Sequence, residues 1–243
     1  MATGRMRDEA MVATRNNVEW CDTVCRTHAV PGRLDPHFWV QPRKGPPYCS
    51  NCITLSRSGV THQHAAIESL KADLPDGFSI KDSFASLDLS AAGFRTLFEA
   101  EWLWQEPANG ARTAEQPDWS RIESNSDLLR WEAAWSAAGS PSQSRVFLPA
   151  LLDAVGVAFF GVEHGGDFVA GCIANLSRDS VVGFSNFFAS APDSDRLRAG
   201  AVAKVAGFAP GLPILGYDRG EGLAAMLTLG FRPVGALRVW LWP

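Results

Sequence analysis

The stretch AFFGVEHGGDFVAGCIANLSRDSVVGFSNFFA, residues 158–189, decides the fold. Three apolar runs, 158–163, 168–176 and 181–189, are rich in Phe, Val and Ile, the residues that suit a pleated, half-buried surface. Between the first two stands His164-Gly165-Gly166-Asp167. Consecutive glycines supply the positive φ angles of a tight hairpin turn. Residues 177–180 turn the chain again, so the expectation is an antiparallel meander of three strands.

Outward from the meander, the pattern alternates helix and strand. Toward the C-terminus a helix is expected at 196–208, broken by Pro210-Gly211, then a short buried strand at 213–217. A helix at 222–229 follows, closed by Gly230, because a helix end commonly needs a left-handed residue. The last strand is 231–242. Upstream, 97–104 alternates as a strand and 105–117 is a polar loop. Residues 118–139 form a Trp-rich helical stretch, capped at Ser126, with Leu128, Trp131, Ala134 and Trp135 on one face. Trp131 and Trp135 either pack in the core or stack on a ligand. A short helix is expected at 148–155.

The first 92 residues read differently. An arm at 1–16 leads to a helix at 18–28 capped by Asn16-Asn17. A strand at 52–56, a helix at 61–73 with Ala65, Ala66, Ile67 and Leu70 on its apolar face, and extended chain at 78–80 and 84–89 follow. The fold class is α/β with a mixed, α+β-like sheet. Residues 1–92 form a strand–helix–strand extension and 93–243 the main domain.

Composition limits the function. Of 243 residues, 46% are apolar and 20% charged, with a net charge of −4. That is enough apolar surface to exclude a disordered chain. No apolar run reaches the roughly 18 residues of a membrane span, and residues 1–13 lack the apolar core of a signal peptide. The acidic balance argues against a nucleic-acid partner. The 18 arginines against 4 lysines carry no functional weight by themselves. Five cysteines, an odd number, in a chain of this length point to a reducing cytoplasm rather than a disulfide framework. Cys21, Cys25, Cys49 and Cys52 form two close pairs, either buried free thiols or four ligands of a structural zinc, with His28 and His37 as further candidates. Metal is not the preferred reading.

The order strand, helices, meander, helix, strand, helix, strand resembles the GNAT acyltransferase superfamily. Leu229-Gly230-Phe231-Arg232-Pro233-Val234-Gly235 is similar to its junction between the last helix and the next strand, and Val169-Ala170-Gly171 after the hairpin to another of its strands. The resemblance, best from about residue 94 onward, implies acetyl-CoA or another acyl-CoA as donor, a small-molecule amine as acceptor, and a possible homodimer. It implies that the acyl group lies along 185–189, with Asn186 orienting the acyl carbonyl or a water and Phe187 and Phe188 beside the cofactor. It implies that Arg196-Leu197-Arg198-Ala199-Gly200-Ala201 stands where the family holds the pyrophosphate, with Arg196, Arg198 and the backbone of Ala199, Gly200 and Ala201 as contacts. Ala199 replaces a glycine there. The position from which family members protonate the leaving thiolate is Met226 here, which leaves Tyr217 as the acid. Glu163, Asn175 and the charged turn Asp218, Arg219, Glu221 are further polar candidates near the strand ends. The alternative is a catalytically degenerate relative serving as a small-molecule sensor or interaction module.

Overall fold

In chain order the elements are α1 (Glu9–Thr27), β1 (Arg33–Leu34), β2 (Phe38–Val40), β3 (Cys52–Thr54), α2 (Val60–Asp73), β4 (Phe78–Asp82) and β5 (Arg95–Gln105). They continue with β6 (Ser120–Arg121), α3 (Asn125–Ala137), β7 (Val157–His164), β8 (Asp167–Ser177) and β9 (Val181–Ala189). The chain ends with α4 (Ser194–Phe208), β10 (Ile214–Asp218), α5 (Gly220–Thr228) and β11 (Arg232–Trp242). This is a computed structural model that describes residues 8–107, 118–190 and 194–243. The polar loop expected at 105–117 falls largely outside them, as do Asp193 and residues 1–7 of the expected N-terminal arm, whose residues 9–16 are helical instead.

The meander is antiparallel, as expected, and Gly165 and Gly166, at φ 62° and 90°, make the tight turn between β7 and β8. All strands join one sheet in the order β1-β2-β3-β4-β11-β5-β10-β9-β8-β7-β6. Two neighbouring pairs are parallel, β3 with β4 and β9 with β10. The sheet is continuous across residue 92, because β4 pairs with β11 over Phe78–Trp242 to Asp82–Arg238. Helices cover both faces. α1 and α3 pack on one, through Ala13 against Trp102 and Leu215, and through Trp131 against Phe159 and Ile173. α4 and α5 pack on the other, through Val205 and Met226 against Leu103 and Ile214. α2 lies on that second face at β4, with Ile67 and Leu70 against Ile80.

Three local expectations are corrected. α1 begins at Glu9, capped by Asp8, whose carboxylate accepts from the Met11 amide at 3.1 Å. Asn16 and Asn17 cannot cap it because they lie in its interior, where they make tertiary contacts: Asn16 Nδ2 donates to the Asn175 carbonyl at 3.1 Å, and Asn17 Oδ1 accepts from Lys81 at 2.7 Å. α3 is capped by Ser124 instead of Ser126, with the Ser124 hydroxyl accepting from the Asp127 amide at 3.1 Å. Residues 84–89 are loop, since the buried Asp82 carboxylate accepts from the Leu87 amide at 2.7 Å and from that of Phe84 at 3.4 Å, curling the chain around itself.

At the other end, Gly230 behaves as its sequence promises. Its φ is 92°, its amide donates to the Leu227 carbonyl at 3.0 Å, and the Phe231 amide donates to that of Met226 at 3.2 Å. Both bonds satisfy carbonyls that the end of α5 leaves free. Among the described residues no helix is long and apolar enough to cross a membrane.

Candidate functional site

The parallel pair β9–β10 is short. Val182 faces Ile214 and Gly183 faces Leu215, and then the strands part. At the parting, a Cβ on Gly216 would stand 2.6 Å from the Phe184 carbonyl oxygen, so glycine permits this closeness. Beyond it β9 bulges. Gly171 pairs with Phe188 and Ile173 with Ser185, so Asn186 and Phe187 share the place opposite Cys172. Asn186 takes the strain at φ 53°, and its amide donates to the Ser185 hydroxyl at 3.0 Å. The bulge bends β9 away from β10. The gap opens into a cleft of about 400 Å³.

The cleft reaches both faces of the sheet. From the α4 and α5 side it is lined by Phe187, Arg198, Asp218 and Met226. From the α1 side it is lined by Asn16, Asn17, Cys21, Lys81 and Tyr217. At its floor Asn16 and Asn175 hold each other across Gly183, where a Cβ would lie 2.3 Å from both amide oxygens.

The sequence-derived site residues divide. Asn186, Tyr217, Phe187 and Arg198 line the cleft. Phe188 does not: the bulge turns it into the core, 5.2 Å from the Trp131 ring, and it neither binds a cofactor nor plugs the cleft. Ala199, Gly200 and Ala201 lie inside α4, which already begins at Ser194. Their amides belong to the helix ladder, so these residues cannot serve as a phosphate-holding loop. Arg196 is exposed on that first turn. Arg198 Nη1 donates to Asp218 at 3.2 Å and its guanidinium lies 4.2 Å above the Phe187 ring. Its Nε is buried without a partner among the described residues, a donor left over for an incoming acceptor group. Met226 is buried at the cleft, where it offers no proton. Trp131 is a core residue, Trp135 is buried but lines the cleft, and Glu163 is a surface partner of Arg130.

Tyr217 is held from three sides. The Trp102 ring meets it edge-on at 5.4 Å, Phe98 stacks at 6.5 Å, and Lys81 Nζ donates to its hydroxyl at 3.4 Å. Sequence reasoning missed Lys81, which is 4% exposed. A signal existed: it is one of four lysines in the chain and interrupts the apolar strand Phe78-Ser79-Ile80.

The cysteines do not assemble as two ligand pairs. Cys21 and Cys25 lie on the α1 side, while Cys52 faces Ile80 and Leu70 on the α2 side. Among the described residues no three His, Cys, Asp or Glu side chains are grouped so as to hold a metal ion. His28 Nε2 bonds the Val146 carbonyl at 3.0 Å, and His37 stacks on His62. Cys49 instead stands against both Cys21 and Cys25, and Cys21 and Cys49 line the cleft. The Cys49 hydrogen bond pulls the Cys21 thiol down to about 7 against the effect of burial, and the Lys81 charge helps. The same bond, a second one to Cys25 and burial push the Cys49 thiol up. Burial pushes Cys52 up to about 12 and Cys172 higher still. Thiolate is the form that reacts. Iodoacetamide on the folded protein is therefore expected to modify Cys21 with a rate that rises with pH and reaches half its plateau near pH 7, while Cys52 and Cys172 stay unmodified. Peptide mass mapping against pH measures it, and a Cys21 rate rising only above about pH 8.5 contradicts it.

No protein-family profile matches the chain, and no curated protein sequence matches it. Solved structures do. A GCN5-related N-acetyltransferase from Kribbella flavida superposes with a TM-score of 0.61 at 14% identity, over 94% of this chain and 95% of that one. A GCN5-related N-acetyltransferase from Sphaerobacter thermophilus gives 0.55 at 10% identity, over 79% and 71%. The N-myristoyltransferase of Saccharomyces cerevisiae, solved with bound myristoyl-CoA, gives 0.53 at 7% identity, over 79% of this chain and 59% of that one. With its meander, its parted parallel strands and these likenesses, the chain has the fold of the GNAT superfamily.

Proposed function

We infer that this protein is an acyl-CoA-dependent N-acyltransferase, with acetyl-CoA as donor and a small amine as acceptor. The observation that carries the reading is the cleft where β9 and β10 part, open to both faces of the sheet. A donor enters from the α4 side and an acceptor from the α1 side, and they meet at Tyr217. On the donor side Arg196, Arg198 and the positive end of the α4 dipole offer charge to phosphates, and Phe187 gives the pantetheine arm an apolar wall. Asn186 stands at the bulge, where its amide orients the acyl carbonyl. The amine attacks the thioester carbon, and the C–N bond forms as the C–S bond breaks. The Tyr217 hydroxyl gives its proton to the leaving sulfur and takes up the one that the nitrogen sheds.

Calorimetric titration with acetyl-CoA tests the donor. Saturable heat with a Kd between about 1 µM and 1 mM is expected, and Arg198→Ala should weaken it about tenfold or more, as loss of a charge-assisted bond to phosphate does. The ion pair that Asp218 makes with Arg198, together with Met226 in place of an acid, favours a second reading, a non-catalytic relative. Absence of heat at about 1 mM acetyl-CoA decides for that reading.

A further inference from the structure

The Lys81 ammonium is a buried cation with no carboxylate. It sits on β4, 4% exposed, and its hydrogen-bond partners among the described residues are neutral: Asn17 Oδ1 at 2.7 Å and the Tyr217 hydroxyl at 3.4 Å, with the Tyr217 ring 4.4 Å below. Among the described residues it takes part in no ion pair. The neighbouring acid, Asp82, is turned away and accepts from Leu87 and Phe84. Asp218 is engaged with Arg198, and Asp22 accepts from the Gly32 amide and the Trp39 indole. The other titratable groups facing it are Cys21, Cys49 and Tyr217. An ammonium removed from water incurs a desolvation cost that an amide and a hydroxyl offset only in part. The charge also opens onto the cleft, so a ligand can reach it.

We propose that Lys81, with Asn17, binds the carboxylate of the acceptor, and that the acceptor is an α-amino acid with an apolar side chain. The proposal rests on the N-acyltransferase reading and names its substrate class. In an α-amino acid the carboxylate and the reacting nitrogen share one carbon. A carboxylate on Lys81 therefore leaves the nitrogen beside Tyr217, the residue to which Lys81 is bonded. Trp20, Val24, Phe147 and Trp135 give the same cleft an apolar stretch of wall, beside neutral polar groups such as Asn16, Ser50 and Ser79. That stretch suits an aromatic or aliphatic side chain, and among the described residues this side of the cleft carries no charged side chain besides Lys81. Asn17 has its amide nitrogen free to donate to a carboxylate oxygen while its Oδ1 holds Lys81.

The test uses the full chain and three matched probes: L-phenylalanine, L-phenylalaninamide and phenethylamine. Each is titrated calorimetrically without donor, and acetyl-CoA is titrated separately. L-phenylalanine is expected to bind at least about tenfold more tightly than the other two, which lack the carboxylate. Lys81→Met should abolish that preference. The wild-type comparison needs no variant, so it stands if Lys81→Met fails to fold. Equal affinity for the amide, or no binding of L-phenylalanine at millimolar concentration, overturns the proposal. Loss of the donor heat alone, with the carboxylate preference kept, overturns the transferase reading and leaves the carboxylate site standing. Donor heat without the preference overturns the carboxylate site and leaves the transferase.

Discussion

Replacing Trp131 by alanine is expected to lower stability by about 3–5 kcal/mol, the largest loss from any single truncation in the meander face. Trp131 is fully buried at the centre of an aromatic cluster, with ring centroids 5.6 Å from Phe147, 5.3 Å from Phe159 and 5.2 Å from Phe188. Its indole donates to the Phe160 carbonyl at 2.8 Å, a bond that alanine leaves unmade. The sheet is also shaped around it. A Cβ on Gly171 would lie 2.3 Å from the indole nitrogen, so β8 is bare where the ring rests. Neighbours held by β-strand pairing cannot collapse into the void. Urea unfolding measures the change as a shift of midpoint at constant slope. A loss below about 1 kcal/mol contradicts the account, because it matches a surface substitution.

The second large effect falls on turnover. Tyr217→Phe keeps the ring, and with it the contacts to Trp102 and Phe98, but removes the hydroxyl that Lys81 touches. With an acceptor in hand, the rate constant for CoA release is expected to fall by about 10²–10⁴. Donor affinity and unfolding midpoint should stay near wild type, which separates loss of an acid from loss of structure. A rate within about threefold of wild type removes Tyr217 from the chemistry. It would return the acid's role to a water or to the acceptor itself.

Particular residues show why parts of the site were legible and parts were not. Gly165-Gly166 and Gly230 act through their own backbone, so their meaning is local and the sequence displays it. Phe187 and Phe188 are adjacent, identical and apolar. Only the bulge at Asn186 sends the first to the cleft and the second to Trp131, and a bulge is set by how β9 is paired to β8. Asn16-Asn17 looks like a cap because asparagines before an apolar run commonly are. Their partners, Asn175 and Lys81, are 159 and 64 residues away, beyond any local pattern.

The sequence by itself determined the order of elements, the meander with its hairpin turn, and the class of fold, because strand alternation, turn residues and helix ends are short-range physics. The tertiary structure alone decided where chemistry can occur. The parting of β9 from β10, the seat of Arg198 over Phe187, and the meeting of Lys81 on β4 with Tyr217 on β10 all depend on register and strand order. In a sheet, a shift of one residue sends a side chain to the opposite face. The register that carries Lys81 into the cleft, and Ile80 to the face of α2, is fixed only once β4 has paired with β11.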